Sequence, residues 1–311
     1  MSRPVWRFVV PPPGATLGDV VARFAPDASA ALSGGRVFVD QKRASDASAR
    51  VAPDAVVELY ASRAADEPLS ILALHAGFVF VDKPPGLSTV PDHAGSTDCL
   101  VARVERMLGA DAGELQALSR LDVGVSGVVT LARDGAARAL AAELRAAGRF
   151  ARRYVAIASR APEPESGSWS GAIGRSRDGR RRVGGEHAQE AATRYTTVAR
   201  GAHGFAPDAP PAALLALAPI TGRTHQLRVH AAAAGAALYG DRSYGGPQRV
   251  RLPGGRVEAF ARPALHALSV ELALESGPLR VESAPPEDFT GLWSALGGVP
   301  ADLDHASVAA L

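Results

Sequence analysis

Residues 119–133 read Ser-Arg-Leu-Asp-Val-Gly-Val-Ser-Gly-Val-Val-Thr-Leu-Ala-Arg, which sets one carboxylate, Asp122, in a turn directly before an apolar strand. Because loops between rigid elements commonly carry catalytic side chains, Asp122 is a candidate nucleophile. An isolated aspartate is also a common turn residue, so Asp122 by itself does not decide the function.

About a hundred residues later the chain reads Thr221-Gly-Arg-Thr-His-Gln-Leu-Arg-Val-His230. The turn at its start predicts a helix over residues 224–234, capped by the Thr224 hydroxyl. Arg223 and Arg228 lie around the beginning of this helix, where anions are favoured. An arginine close to Asp122 would keep its carboxylate charged and oriented, or would hold a phosphate. The alternative is a pair of surface arginines on a helix.

The composition allows a large folded core. The chain has 311 residues, of which 47% are hydrophobic, and its formal net charge is +2. Its single cysteine, Cys99, excludes an intrachain disulfide and a multi-cysteine zinc site. No apolar run reaches the roughly 18 residues that a membrane span needs. We therefore expect a cytoplasmic protein with no membrane partner.

The basic residues are nearly all arginine, and they are concentrated between Arg145 and Arg182, where acidic residues are few. Arginine binds phosphate in a bidentate manner and stacks on bases. This segment therefore favours a nucleic-acid surface, although an arginine-rich composition with solvated charges would give the same pattern.

Residues 1–65 are predicted to form a small α/β module. Thr16 is predicted to cap a helix over Leu17–Phe24, a second short helix follows over 27–32, and residues 36–42 and 55–60 alternate like strands. This order resembles the ribosomal-protein S-four-like RNA-binding module, on the stretches 35–42 and 51–59. The second helix has no basic residue, which indicates a degenerate module.

Residues 66–311 are predicted to form the main domain. Strands are expected over 78–82, 127–132, 154–158, 191–198 and 213–218, with helices over 99–108 and 134–147. Because these strands do not alternate regularly with helices, the fold class is α+β with a mixed, largely antiparallel sheet. Residues 61–68 are predicted to be a linker.

The sequence gives little support for a metal site or for a serine hydrolase. His225 and His230 are five residues apart and would not share a helix face, and the chain has no His-Glu-x-x-His motif. Ser126-Gly127 lacks the Gly-x-Ser-x-Gly elbow of serine hydrolases. We expect no metal and no cofactor.

Four ordered segments resemble the pseudouridine synthases of the ribosomal large-subunit synthase A (RluA) type. They are Val81-Asp-Lys-Pro-Pro-Gly-Leu87, Arg120-Leu-Asp-Val-Gly-Val-Ser-Gly127, the stretch 221–230 continued by Gly240-Asp-Arg-Ser-Tyr-Gly245, and Ala264-Leu-His-Ala267. The resemblance spans residues 69–272. It implies isomerisation of uridine to pseudouridine in ribosomal or transfer RNA after the base is flipped from its stack, by a monomer bound to structured RNA.

The resemblance also implies residue roles. Asp122 is the catalytic aspartate, Arg228 is its basic partner, with Arg223 a second candidate, and Tyr154 packs beside the flipped base. Arg120 enters the RNA helix and Leu265 is an apolar neighbour of the base. His225 and Gln226 of the same motif are expected to bind substrate.

The chain departs from the family pattern at two positions, because Ser119 stands for the usual histidine and Val125 for the usual threonine. Both flank Asp122. They leave open an alternative function, a catalytically impaired RNA-binding or ribosome-assembly factor on the same scaffold. A metal-independent glycosidase would need a second carboxylate near Asp122, and the resemblance supplies none.

Overall fold

A computed structural model describes residues 5–10, 13–23, 28–33, 37–40, 42–60, 69–91, 98–251, 257–260 and 262–308. The chain forms two compact units, one of residues 1–68 with 91–99 and the other of residues 69–90 with 100–311. The predicted linker over 61–68 lies outside the described residues.

The smaller unit joins short strands to two short helices. Its elements are β1 Val5–Val9, β2 Ala15–Thr16, α1 Leu17–Ala22, α2 Ala28–Ser33, β3 Val37–Val39, β4 Lys42–Arg43, β5 Arg50–Val51 and β6 Val56–Tyr60. Four strands form an antiparallel sheet in the order β1-β6-β3-β4, and β2 pairs with β5. The predicted cap of the first helix is confirmed, because Thr16 Oγ1 accepts from the Asp19 backbone N at 3.2 Å. The likeness to an S-four-like module stays a prediction.

The larger unit is built on strands. They are β7 Ser70–His75, β8 Phe78–Lys83, β9 Gln116–Ala117, β10 Ser126–Ala132, β11 Phe150–Ala158, β12 Ser166–Trp169, β13 Ile173–Arg175, β14 Arg181–Val183, β15 Glu186–Gln189, β16 Thr193–Arg200, β17 Ala213–Pro219, β18 Arg249–Arg251, β19 Val257–Ala259, β20 Leu265–Leu274 and β21 Gly277–Glu282.

Its helices lie between these strands and at the carboxyl end. They are α3 Leu100–Leu108, α4 Gly135–Ala146, α5 Gln226–Ala233, α6 Glu287–Ala295 and α7 Ala301–Val308, with short 3₁₀ helices at Gly109–Ala112 and Arg242–Tyr244. The predicted cap of α4 is confirmed, because Asp134 Oδ1 accepts from the Ala137 backbone N at 2.7 Å. This helix ends as expected before Gly148, whose φ is +68°.

Ten strands form one twisted sheet. Eight follow the order β12-β16-β17-β11-β20-β10-β8-β7, while β21 pairs with β20 and β9 pairs with β10. Among the strand pairs of the described residues, β10 with β20 is the parallel one. The predicted class, α+β with a mixed and largely antiparallel sheet, is confirmed.

Both faces of the central strands are buried, which explains their continuous apolar sequence. Along β8, Phe78 and Phe80 belong to the core on one face, whereas Val79 and Val81 belong to the core on the other. The second core also contains Leu121. The loop that carries Asp122 is therefore anchored in the core at the residue before it.

Gly127 makes the parallel pairing possible. It pairs with Ala267 and has a φ of +110°. A Cβ at this position would lie 2.2 Å from the Ala267 carbonyl oxygen, so a larger residue cannot occupy it without moving a strand. The close approach of the two strands fixes where the Asp122 loop leaves the sheet.

In the part of the chain that the structure describes, no helix is long and apolar enough to span a bilayer.

Candidate active site

The Asp122 loop is held by backbone contacts on both sides of the carboxylate. Thr89 Oγ1 donates to the Leu121 carbonyl at 3.0 Å and accepts from the Leu121 backbone N at 3.1 Å. The Gly86 backbone N donates to the Val123 carbonyl at 2.6 Å, and the Val125 backbone N donates to the Asp122 carbonyl at 2.9 Å. Asp122 therefore occupies a defined turn, with 27% of its side chain exposed.

The segment that follows β8 supports the same loop. Lys83 is fully buried, and its Nζ donates to the carbonyls of Pro84 at 3.0 Å and Leu87 at 2.9 Å. A third carbonyl, that of Val123, lies 3.5 Å from Nζ. Lys83, which belongs to the quoted stretch Val81–Leu87, thus fixes the turn at 84–87 next to the Asp122 loop.

Arg228 joins two carboxylates. Its Nη1 donates to Asp122 Oδ2 at 2.7 Å. Its Nε and Nη2 donate to the two oxygens of Asp241, each at 2.7 Å. Such a bidentate pair fixes the plane of the guanidinium. Of the two arginines that the sequence offered, Arg228 lies against Asp122.

The environment of Arg228 is largely closed to solvent. Its side chain is 8% exposed and that of Asp241 is 1% exposed. Burial acts to lower the pKa of Arg228, but the hydrogen bonds to Asp241 and the charges of Asp122 and Asp241 outweigh it, so the pKa rises above its ordinary value. A permanent positive charge therefore stands beside Asp122.

Two aromatic side chains complete this cluster. The Arg228 guanidinium carbon lies 5.0 Å from the centre of the Tyr244 ring, a cation–π distance. Tyr244 Oη is 2.7 Å from His225 Nδ1, and His225 Nε2 is 3.9 Å from Asp122 Oδ2. Burial is the largest cause that lowers the pKa of His225, opposed mainly by the charge of Asp122, so the ring is neutral near pH 7.

Tyr154 and Leu265 lie in the apolar core that also holds Leu121. Tyr154 is 7% exposed and Leu265 is 3% exposed. Burial raises the pKa of Tyr154, opposed by the charge of Arg152 and aided by the smaller effect of the Asp122 charge, and the phenol stays protonated at neutral pH. Both side chains therefore belong to the core in which the residue before Asp122 is anchored.

Gln226 organises the turn before α5. Its Oε1 accepts from the Thr221 hydroxyl at 2.6 Å and from the Arg223 backbone N at 3.0 Å. Its Nε2 donates to the Ala192 carbonyl at 2.9 Å and to Thr193 Oγ1 at 3.0 Å. All the hydrogen-bonding positions of this amide are used inside the protein. The structure thus places Gln226 as a support of the turn, and contact with substrate stays a prediction.

The predicted cap of α5 is wrong. Thr224 does not cap the helix; His225 stands at the N-cap in the left-handed region, with φ 58° and ψ 16°, and makes no side-chain cap bond. The reason is tertiary, because the Gln226 amide ties the preceding turn and the His225 ring turns toward Tyr244.

Two predicted substrate-binding arginines lie at the surface. Arg120 is exposed in the loop before Asp122. Arg223 is exposed as well, and its Nε donates to the Glu190 carbonyl at 3.0 Å. The structure brings Asp122, Arg228 and His225 together and sets Arg223 against the segment after β15.

The two positions that depart from the family pattern are both at least partly buried. Val125 is 2% exposed and packs in the same core as Leu121 and Tyr154. Ser119 is half-buried at the start of the loop.

Sequence reasoning missed Asp241, Tyr244 and Thr89. Asp241 and Tyr244 stand in the quoted stretch Gly240–Gly245, so their presence in a motif was the available signal. What the sequence did not reveal is that this turn folds back on Arg228. Gly240 permits the fold, because its φ is +73° and a Cβ there would lie 1.9 Å from the Arg262 carbonyl oxygen.

Among the described residues no group of three or more His, Cys, Asp and Glu side chains is arranged to hold a metal ion. The chemistry available at this site is that of a carboxylate, a buried guanidinium, a neutral imidazole and two phenols.

Comparisons with known proteins define the class. The family model described as RNA pseudouridylate synthase matches residues 77–233. The ribosomal large subunit pseudouridine synthase D of Xylella fastidiosa is 32% identical over 244 residues, covering 74% of this chain and 70% of that protein. The dual-specificity RNA pseudouridine synthase RluA of Salmonella typhimurium is 34% identical over 194 residues, covering 59% and 80%. The solved structure of human RNA Pseudouridylate Synthase Domain Containing 1 is 26% identical, with a TM-score of 0.58, covering 78% of this chain and 96% of that one.

Together with the α+β sheet, these matches define an isomerase that acts on RNA. The chain belongs to the RluA-type RNA pseudouridine synthases, which convert uridine to pseudouridine in RNA.

Proposed function

We propose that Asp122 is the catalytic aspartate, acting on a uridine of ribosomal or transfer RNA that has been flipped out of its stack. The observation that carries this proposal is the 2.7 Å contact of Asp122 with Arg228, which Asp241 holds in a fixed plane. This contact supports the proposal because it orients the Asp122 carboxylate while 27% of the side chain stays exposed.

The isomerisation balances without a redox step. The C1′–N1 bond of the uridine breaks, the uracil turns over, a C1′–C5 bond forms, C5 loses its hydrogen and N1 gains one. Arg228 engages Asp122 through Oδ2. We assign the other oxygen, Oδ1, to the reaction, as the anion that meets the electron-poor sugar when uracil departs.

We assign three further predicted residues, Tyr154, Leu265 and Arg120, to roles around this centre. Tyr154 and Leu265 form a wall on which the uracil ring packs, since aromatic and apolar side chains hold unstacked bases. Extruding a base costs roughly a few kcal/mol. Arg120, exposed in the same loop as Asp122, occupies the space that the base leaves in the RNA.

The test compares Asp122→Asn with a matched acid-to-amide control, Glu114→Gln, whose carboxylate is 85% exposed. In cells that lack the native protein, we expect carbodiimide mapping of total RNA to show pseudouridine at the target with the wild type and the control. Asp122→Asn keeps a hydrogen-bond acceptor but removes the anion, and we expect about 10³-fold less conversion or none.

RNA binding by the purified Asp122→Asn protein should survive, because the variant removes no positive charge. Equal pseudouridine at every site with wild-type and Asp122→Asn protein would refute the assignment. It would favour instead the RNA-binding factor without catalysis that Ser119 and Val125 suggested.

A further inference from the structure

His225 is held in a backbone conformation that few residues other than glycine adopt. Its φ of 58° places it in the left-handed region, directly before α5. Residues kept in such conformations concentrate at functional sites, because the surrounding structure must hold them there. Here the surrounding structure holds the imidazole between Tyr244 and Asp122.

The contacts of the two ring nitrogens determine where the imidazole carries its hydrogen. Nε2 faces the Asp122 carboxylate, with Oδ2 3.9 Å away, and a carboxylate favours an N–H over a lone pair at this position. Burial raises the pKa of Tyr244, so Oη keeps its own hydrogen, and His225 Nδ1 lies 2.7 Å away to accept it. An edge-to-face contact between the two rings, with centroids 5.7 Å apart, fixes the orientation.

Because Nδ1 accepts, the neutral ring carries its hydrogen on Nε2. Burial favours this neutral form, together with the positive charges of Arg228 and Arg181, while Asp122 and Asp241 oppose it. Nε2 is 3.9 Å from Asp122 Oδ2, which is beyond hydrogen-bonding distance. The His225 and Asp122 side chains are 32% and 27% exposed, so this N–H is open to a substrate beside the carboxylate.

We propose that His225 is a catalytic residue whose Nε2–H donates a hydrogen bond to a uracil carbonyl oxygen as the C1′–N1 bond breaks. The bonding electron pair leaves with the uracil, whose negative charge spreads over the ring nitrogen and the carbonyl oxygens. A donor fixed in advance stabilises that charge without reorganising. This inference rests on the proposed function, because it places the uracil beside Asp122.

The first test uses His225→Ala and His225→Gln. Gln retains a side-chain N–H donor of similar reach, whereas Ala has none. The substrates are unmodified in vitro transcripts of ribosomal and transfer RNA with tritium at uridine C5, since the reaction releases that hydrogen. We expect His225→Ala to lower the single-turnover rate about 100-fold and His225→Gln only about fivefold. RNA affinity should stay within about twofold in both, because the interaction forms as bond breaking proceeds.

The second test is a double-mutant cycle with Tyr244→Phe. Phe keeps the ring near Arg228 and removes the hydroxyl that sets the imidazole tautomer. We expect Tyr244→Phe to slow the wild type about tenfold but to have much less effect in the His225→Gln protein, whose donor needs no tautomer. A purely structural role for Tyr244 would give the same loss in both backgrounds.

The proposal is overturned if His225→Gln is as slow as His225→Ala, which would indicate a proton acceptor or a packing role, or if the two losses in the cycle simply add. Asp122→Asn is measured alongside. If Asp122→Asn greatly lowers the rate of tritium release and His225→Ala does not, only the role of His225 is refuted. Equal rates of tritium release from the wild type and Asp122→Asn would refute the proposed function itself.

Discussion

Arg228 shows at the scale of one residue how the site is kept in order. A lone arginine side chain samples many rotamers, and holding it toward Asp122 costs conformational entropy. Asp241 holds the guanidinium through two 2.7 Å bonds, which leaves Nη1 directed at Asp122. Asp241 is therefore a positioning residue for the Asp122–Arg228 pair.

The prediction at the residue scale concerns the substitution Asp241→Asn. The amide cannot accept from both Nε and Nη2, so a buried guanidinium loses one of its carboxylates. We expect a loss of about 3 kcal/mol in the free energy of unfolding, measured by urea titration at neutral pH. The reason is that removing one partner of a buried ion pair leaves the other charge buried without its partner.

The control is Glu165→Gln, which breaks the exposed pair of Glu165 with Arg200, whose side chains are 57% and 50% exposed. It should change the free energy of unfolding by less than about 1 kcal/mol. Similar losses for the two variants would show that Arg228 does not depend on Asp241 for its stability.

At the scale of elements, the parallel junction of β10 and β20 carries a buried polar chain. Ser126 Oγ lies 3.0 Å from His266 Nδ1, and His266 Nε2 lies 2.8 Å from the Ser283 carbonyl. Since a carbonyl only accepts, Nε2 carries the hydrogen and Nδ1 accepts from the Ser126 hydroxyl. Ser283 Oγ in turn donates to Asp82 at 2.8 Å on β8. The junction beside the Asp122 loop thus requires a neutral imidazole.

This requirement predicts a pH dependence of stability. Burial lowers the pKa of His266 to about 4, whereas an unfolded histidine titrates near about 6.5. The unfolded chain therefore takes up the proton first. The contribution of His266 is complete above the unfolded pKa and is lost as the pH falls toward the folded one. Between pH 7 and pH 5 we expect a loss of about 2 kcal/mol from this residue.

The measurement compares urea unfolding of the wild type and His266→Gln at both pH values. Gln keeps a donor for Ser283 and an acceptor for Ser126 but does not titrate. The wild type should lose about 2 kcal/mol more than the variant over this interval. An identical pH dependence in the two proteins would show that protonation of His266 has no part in acid destabilisation.

At the scale of the whole molecule, part of the arginine-rich segment between Arg145 and Arg182 lies in a small sheet. β13, β14 and β15 form a small sheet, and the turn between β13 and β14 carries Arg177 and Arg180, with Arg182 on β14. These three side chains are exposed. β14 lies close to α5, the helix that carries Arg228. We therefore expect these charges to contact the RNA backbone.

This placement predicts how RNA binding depends on salt. Neutralising Arg177 and Arg182 together, as Arg177→Ala with Arg182→Ala, should reduce the slope of log affinity against log salt by about 1 to 2, because each phosphate contact contributes roughly 0.7–0.9. Filter binding of unmodified ribosomal RNA transcripts over a range of salt concentrations measures the slope.

Arg200→Ala is the matched control, because Arg200 is exposed but is already paired with Glu165. Its slope should match the wild type. A double variant with an unchanged slope would place the RNA on another surface of the protein.

Much of the fold was predictable from sequence. The strand over 78–82, the helix that Asp134 caps and the helix that Thr16 caps were all expected, because apolar periodicity and cap residues act locally. The strand predicted from Tyr154 begins earlier, at Phe150, because pairing with β20 extends it through Arg152 and Arg153. Polar residues in a paired strand leave no apolar signal.

The active site, like the fold, was predictable from the sequence only in part. The sequence by itself determined that Asp122 and Arg228 stand in two motifs that resemble one family, because a motif is a local pattern of residues. Only the tertiary structure decided that Arg228 rather than Arg223 contacts Asp122, that Asp241 and Tyr244 belong to the cluster, and that His225 replaces Thr224 at the start of α5. These contacts join residues far apart in the chain, and their geometry follows from how the sheet and the turn at Gly240 pack, which no local pattern encodes.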